Sequence, residues 1–260
     1  MTDSARFTWT VLLPVKVLAR AKSRLAVLAG DRRGELALAL ASDTVAAVRA
    51  CPEVARVIVV TSDPEAGPLL AALGAIVVPD EPADRSASLG NTGLGNTGLG
   101  DTGLGDTGAL PGAGAPGVLG DLGVQDALNA ALRHGAAVAA RRWPGTGLAA
   151  LTADLPAVSP AELAAALSAA GASPGPAAFV ADAAGVGTTL YAVPPGGEFR
   201  PLFGGASRAR HAAAGGIELD LGAFTGLRRD VDTPDDLREA LSLGVGPFTR
   251  AVAADLFTDV

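Results

Sequence analysis

Short apolar runs alternate with longer stretches of helical periodicity along most of the 260 residues, and that alternation leaves few architectures open. Strands are expected at residues 11–15, 54–61, 75–78, 147–152, 177–181 and 188–193, and helices at 35–50, 64–73 and 124–142. Two further helices are marked by how they begin. Ser159-Pro160-Ala161-Glu162 offers a serine cap, a proline at the first position and a glutamate at the third. Thr233-Pro234-Asp235-Asp236 repeats that grammar. Strand and helix in turn predict a three-layer α/β domain around a mostly parallel sheet. Ligands of such sheets bind outside the carboxyl ends of the strands.

One region breaks the alternation. Residues 89–108 are a pentapeptide repeated four times, Leu-Gly-Asn-Thr-Gly twice and then Leu-Gly-Asp-Thr-Gly twice, and a Gly/Ala/Pro run follows. A period of five matches neither helix nor strand, and so much glycine makes ordering costly in entropy. Residues 81–120 are therefore expected to be a disordered low-complexity insertion in a single domain spanning 1–260.

Apolar residues make up 49% of the chain but aromatics only 4%, so the core is built of small side chains. No stretch offers the roughly 20 large apolar residues of a spanning helix, and the N-terminus lacks the charged-then-apolar pattern of a leader. A single cysteine, Cys51, cannot form an intramolecular disulfide, which suits a reducing cytoplasm. A net charge of −7 argues against sequence-independent nucleic-acid binding. A cytoplasmic protein with neither membrane nor nucleic acid as partner is expected. Oligomeric state is not legible, although residues 248–257 could form a docking segment.

Four segments carry candidate chemistry. Of twenty basic residues only two are lysines, Lys16 and Lys22, and both follow the first apolar run. Lysine is a compact point charge suited to a single phosphate oxygen. With Arg24 the pair forms a cationic loop that could hold a triphosphate and offset charge during phosphoryl or nucleotidyl transfer. In Leu151-Thr152-Ala153-Asp154-Leu155-Pro156 an aspartate sits at a strand's carboxyl edge, a place for a Mg²⁺ ligand. Ser159 already caps the next helix, so Asp154 has no obvious local duty. Asp230 and Asp232 would point to one side if extended, and with Asp154 could close a divalent-metal site. Thr233 competes with Asp232 for the cap. The fourth segment joins residues 182–189 to Phe203-Gly204-Gly205-Ala206-Ser207, glycine-rich backbone beside hydroxyls, a candidate phosphate or carboxylate site. His211 beyond it reads as a packing or surface histidine.

Together these segments resemble the CofC/FbiD family, nucleotidyltransferases that activate a three-carbon phospho-acid in the biosynthesis of the deazaflavin coenzyme F-420. The matching stretches are LLPVK and AKSRL within residues 12–25, DALNAAL at 126–132, LTADLP at 151–156, GVGTTL at 185–190, FGGASRARH at 203–211 and DVDTPDDL at 230–237. The resemblance implies a Rossmann-like, GT-A-like nucleotidyltransferase fold with a mixed, mostly parallel sheet. It also implies transfer of GMP from GTP to phosphoenolpyruvate or 2-phospho-L-lactate with release of pyrophosphate.

On that carry-over Lys16, Lys22 and Arg24 act on the GTP phosphates, and Leu13, Pro14, Lys16 and Asn129 bind the nucleotide. Thr188, Thr189, Gly204, Gly205 and Ser207 seat the phospho-acid. Asp154 and Asp232, helped by Asp230, bind Mg²⁺, and a downstream transferase takes the unstable product. The sequence Gly187-Thr188-Thr189, where archaeal members have Gly-Thr-Asn, favours the bacterial branch that uses phosphoenolpyruvate. Three rivals stay open: a molybdenum-cofactor-type nucleotidyltransferase, a glycosyltransferase of the same architecture, and a catalytically inactive nucleotide-binding protein.

Overall fold

The computed structural model describes residues 7–16, 18, 22–80, 116–220, 222 and 225–257. The pentapeptide repeat lies outside them. In chain order the elements are β1 (Trp9–Pro14), α1 (Ala26–Ala29), α2 (Arg33–Ala50), β2 (Val54–Val60), α3 (Ala66–Ala72), β3 (Ile76–Val78) and α4 (Pro116–Arg142). They continue with β4 (Gly147–Leu151), α5 (Pro160–Ala172), β5 (Ala178–Ala181), β6 (Thr188–Val193), α6 (Ser207–Ala213), β7 (Ile217–Glu218), α7 (Pro234–Leu243) and α8 (Pro247–Leu256).

The seven strands form one sheet in the order β3-β2-β1-β4-β6-β5-β7. Only β6 runs against the rest, pairing antiparallel with both β4 and β5. Strand β1 lies between β2 and β4, parallel to each. It is buried on both faces, with Val11, Leu12 and Leu13 fully enclosed, which is why it reads as a continuous apolar run rather than an alternating one. Val11, Leu13, Val57, Val59, Ala149 and Leu151 face α2, α3 and α5. Leu12, Ile58, Val60, Ala150 and Tyr191 face α4. That second contact is close. A Cβ on Gly135 of α4 would come within 2.7 Å of Val60 Cγ2 and 3.1 Å of Leu12 Cδ2.

A third cluster joins Leu36 and Leu40 of α2 to Leu237 of α7 and to Val252 and Leu256 of α8. The carboxylate of Asp43 accepts the Phe248 and Thr249 N–H groups at 3.1 and 2.7 Å, closing the first turn of α8 from a neighbouring helix. The segment singled out for docking thus packs on its own chain, against α2.

Both signalled helix starts form capping boxes, Ser159 with Glu162 and Thr233 with Asp236. Several boundaries shift by one or two residues, and two differences are larger. Helix α4 begins at Pro116 rather than at 124, so residues 116–120 of the expected insertion are helical. Proline is well tolerated in a first turn, so Pro116 can open the helix although it follows a Gly/Ala/Pro run. Strand β7, two residues long, is too short to leave a periodic signal. Among the described residues, no helix is long and apolar enough to cross a membrane.

Candidate active site

The chain crosses from β1 to β2 and β3 on one side, then returns through α4 to place β4 on the other. The carboxyl ends of β1 and β4 therefore flank the point where strand order reverses, the usual ligand crevice of such sheets. Pairing opens it further. Strand β1 stays paired with β2 as far as Pro14, but with β4 only as far as Leu12.

Three separate stretches of chain meet there. The loop after β1 brings Lys16, Lys22 and Arg24, and the end of β4 brings Asp154. The stretch before α7 brings Asp230 and Asp232, tied in place by the Val231 N–H donating to the Asp154 carbonyl at 3.1 Å. Thr233 takes the cap of α7, which leaves Asp232 free. The ammonium of Lys22 binds both Asp154 and Asp232, the latter at 2.8 Å. Lys22 is also the one non-glycine residue with a left-handed backbone among those described, φ +53°. That conformation costs about 1 kcal/mol, and the two ion pairs offset it.

The charges are strongly coupled. Burial alone would lower the Lys22 pKa, but Asp154 and Asp232 outweigh it and hold the ammonium charged well above its ordinary range. Burial would raise the Asp232 pKa, yet Lys22, Arg24 and Lys16 together hold it below the usual carboxylate value. Among the described residues no such cation offsets burial at Asp230. Burial and the charges of Asp154, Asp232 and Asp182 push it up to about 7. One oxygen of Asp154, Oδ1, is buried without a hydrogen-bond partner.

Among the described residues, no three carboxylate, imidazole or thiol groups stand close enough to hold a metal as they are arranged; Lys22 occupies the space between two of them. The donors themselves are hard oxygens, as a divalent cation such as Mg²⁺ requires. Both the unpartnered Asp154 oxygen and the crowding around Asp230 would be relieved by a cation.

The other predicted residues divide. Leu13 is fully buried, its side chain in the core, while Pro14 next to it is partly exposed. Asn129 is bonded within the chain. Its amide donates to the Gln125 and Phe203 carbonyls at 2.9 and 3.0 Å and accepts the Phe203 N–H at 2.9 Å, which clamps the turn before Gly204 onto α4. Gly204 has φ +98°, and a Cβ there would meet Gln125 Cγ at 2.4 Å. The Ser207 and Arg208 amides already donate to Gly205 and Val186 carbonyls, so they are committed within the chain. Thr188 bonds His211, whereas Thr189 Oγ1 and neighbouring Thr152 Oγ1 are buried and unpartnered. Thr152 and Thr189 are neighbours because the Thr152 N–H donates to the Thr189 carbonyl.

No family model matches the chain. A phosphoenolpyruvate guanylyltransferase of Thermomonospora curvata is 51% identical to it over 253 residues, 97% of this chain and 92% of that protein. One of Streptomyces coelicolor is also 51% identical, over 249 residues, covering 95% and 97%. The chain belongs to the phosphoenolpyruvate guanylyltransferase family. A solved structure described as a nucleotide-diphospho-sugar transferase, from Desulfovibrio desulfuricans G20, shares the fold at a TM-score of 0.52. It is 13% identical and covers 90% of this chain and 96% of that one.

In this family member some residues that shape the site escaped sequence reasoning. Asp63, at the end of β2, accepts from the Leu18, Glu65 and Ala66 N–H groups at 2.8–2.9 Å, which pins the cationic loop to the sheet. Burial would raise its pKa, but those three donors hold it below the carboxylate norm. Thr44 of α2 accepts the Leu155 N–H at 3.0 Å and so fixes the chain beyond Asp154. Ser62-Asp63 directly follows the strand expected at 54–61, but the partners of Asp63 are set only by the fold.

Proposed function

We propose that this chain is a cytoplasmic guanylyltransferase that joins GMP from GTP to phosphoenolpyruvate and releases pyrophosphate. An oxygen of the phosphoenolpyruvate phosphate attacks the α-phosphorus of GTP. The bond from that phosphorus to the bridging oxygen of the β-phosphate breaks, and pyrophosphate leaves. The attacking phosphate is already anionic, so no general base is needed. The observation that carries this reading is the cluster of Lys16, Lys22 and Arg24 facing Asp154, Asp230 and Asp232 at the β1/β4 crevice. Phosphoryl chemistry of this kind needs positioning and charge stabilisation rather than covalent help.

Lys16 and Arg24, exposed at the rim, meet the triphosphate, and Lys22 would be released toward it if a cation took its place between Asp154 and Asp232. Asp154, Asp230 and Asp232 would hold Mg²⁺, which would supply charge neutralisation on the phosphates. The hydroxyls of Thr188 and Thr189 on β6, with that of Thr152 beside them and the turn at Gly204 and Gly205, receive the phospho-acid. Phosphoenolpyruvate is favoured over 2-phospho-L-lactate because relatives half identical over nearly the whole chain bear its name. The product joins the two phosphates through a phosphoanhydride, an activated linkage, so a downstream transferase is the natural consumer.

The test is pyrophosphate release with Mg²⁺ and GTP, in separate reactions with phosphoenolpyruvate, 2-phospho-L-lactate and 3-phosphoglycerate, and with ATP as control nucleotide. Release should require GTP and phosphoenolpyruvate together. No release with any acceptor, including reactions trapped by the downstream enzyme, from folded protein that binds GTP would overturn the reading.

A further inference from the structure

His211 lies on α6, 1% exposed, in an aromatic box. Tyr191 stacks on it at 4.6 Å between ring centres, and Phe179 and Phe203 pack at 5.6 and 5.5 Å. A buried imidazole is costly unless its nitrogens are satisfied, and here both are. The Leu202 backbone N–H donates to Nε2 at 2.9 Å, and Nδ1 lies 3.0 Å from Thr188 Oγ1.

The first bond fixes the second. A backbone amide can only donate, so Nε2 must present a lone pair. The ring is then neutral, and its one proton sits on Nδ1, an assignment that follows from the hydrogen-bond pattern. Nδ1–H therefore donates to Thr188 Oγ1. The hydroxyl, with one lone pair taken, keeps its own proton. No other acceptor for that proton is found among the described residues. Burial, and then the charge of Arg210, lower the His211 pKa to about 4, in keeping with a neutral ring.

We propose that His211 is a positioning residue for the phospho-acid site: as the Nδ1–H tautomer it turns the Thr188 hydroxyl into a committed donor to an anionic oxygen of the acceptor substrate. This rests on the reading of Thr188 as a substrate contact. The same ring holds Leu202, next to the turn that Asn129 clamps through Phe203. One side chain therefore sets both halves of the cradle, the β6 hydroxyl and the 202–205 turn. The pocket gains a neutral donor that needs no counter-charge when empty.

Two experiments decide it. Only two histidines occur in the chain, His134 and His211, so ¹⁵N imidazole spectra of the free protein are simple to assign with His211→Asn. A protonated Nδ1 and bare Nε2 at neutral pH are expected. An Nε2–H tautomer or a charged ring would overturn the proposal whatever any variant does. In kinetics, Thr188→Val and His211→Leu should each raise the KM for phosphoenolpyruvate roughly tenfold, the worth of one hydrogen bond to an anion. The double variant should be no worse than either, and the KM for GTP should stay put. His211→Asn, whose amide nitrogen can stand where Nδ1 stood, should recover most of the loss. An unchanged KM in Thr188→Val would sink the substrate reading of Thr188 itself, and the positioning role with it. A raised KM there with none in His211→Leu, or equal loss toward both substrates in His211→Leu, would sink the positioning role alone.

Discussion

The two halves of the crevice solve opposite problems. On the β1/β4 side full charges are packed together, and Lys22 stands as internal counter-ion between Asp154 and Asp232. On the β6/α6 side the groups are hydroxyls, glycine backbone and a neutral imidazole. A charged site must be neutralised when empty, because uncompensated charge away from water is costly. A neutral site can wait empty with its donors already aimed. The first half should therefore respond to cations and salt, and the second to the precise shape and acceptors of the ligand.

The largest effect expected is in the charged half. Asp154→Asn removes one oxygen charge while keeping shape, and turnover should fall by about 10³, the scale of losing a principal electrostatic contact in the transition state. The fold should survive, since Asp232 still pairs Lys22; a melting temperature within a few degrees of the parent checks this. Retained turnover would remove Asp154 from the mechanism.

Lys22→Met tests the counter-ion directly, and binding of metal rather than activity reads it out. Without the ammonium, Asp154 and Asp232 repel each other and stability should drop. Millimolar Mg²⁺, added without nucleotide, should restore several degrees of melting temperature to the variant and leave the parent unmoved. A parent that responds to Mg²⁺ as strongly as the variant would show that Lys22 and the cation do not compete.

The neutral half makes a pH prediction of comparable size. The His211 pKa is lowered in the folded state to about 4, from an ordinary 6.5. Between those values the unfolded chain binds more protons, so stability falls as pH drops from 6.5 toward 4 and is full above 6.5. At one pKa unit per 1.4 kcal/mol, the loss is about 3 kcal/mol. Urea unfolding at pH 7 and pH 4.5 should show this component in the parent and not in His211→Asn. An identical pH dependence in both would mean the ring is charged or exposed. Beneath both halves, Gly135→Ala should destabilise by about 2 kcal/mol through overpacking against Val60 and Leu12, without altering KM for either substrate.

What sequence could reveal follows from how local each feature is. Strand β1, the helix starts at Ser159 and Thr233 and the freedom of Asp154 from cap duty rest on neighbouring residues and are legible. Asp232 and Thr233, by contrast, compete for one cap that only the fold assigns, to Thr233. Lys22 was readable as a cation of the first loop, but its partners lie 132 and 210 positions away. No periodicity encodes that meeting. Asn129 lies in a stretch matching the family, and its amide donates to the carbonyls of Gln125 and of Phe203, the latter 74 positions on. Only the folded chain shows that second bond. His211 read as a packing histidine, which it is, but the bond from Leu202 that fixes its proton is a tertiary fact. Asp63 and Thr44 hold backbone rather than ligand, and only the folded chain shows which backbone.

The smallest effect belongs to the repeat, and it bears on both halves equally. The connection from β3 to α4 runs through residues 79–115, and removing 89–108 leaves 17 of its 37 residues. Closing a shorter glycine-rich loop costs less entropy, by about 0.7 kcal/mol on a logarithmic length dependence. Stability should therefore rise slightly or stay level. Turnover should also hold, because the cationic loop, Asp154, Asp232 and the Thr188–His211 pair are all anchored by bonds outside the connection. The same pyrophosphate assay, run on the deletion at subsaturating GTP and then at subsaturating phosphoenolpyruvate, checks each half in turn. A raised KM for GTP alone would assign the repeat to the nucleotide side, and a raised KM for phosphoenolpyruvate alone to the neutral cradle.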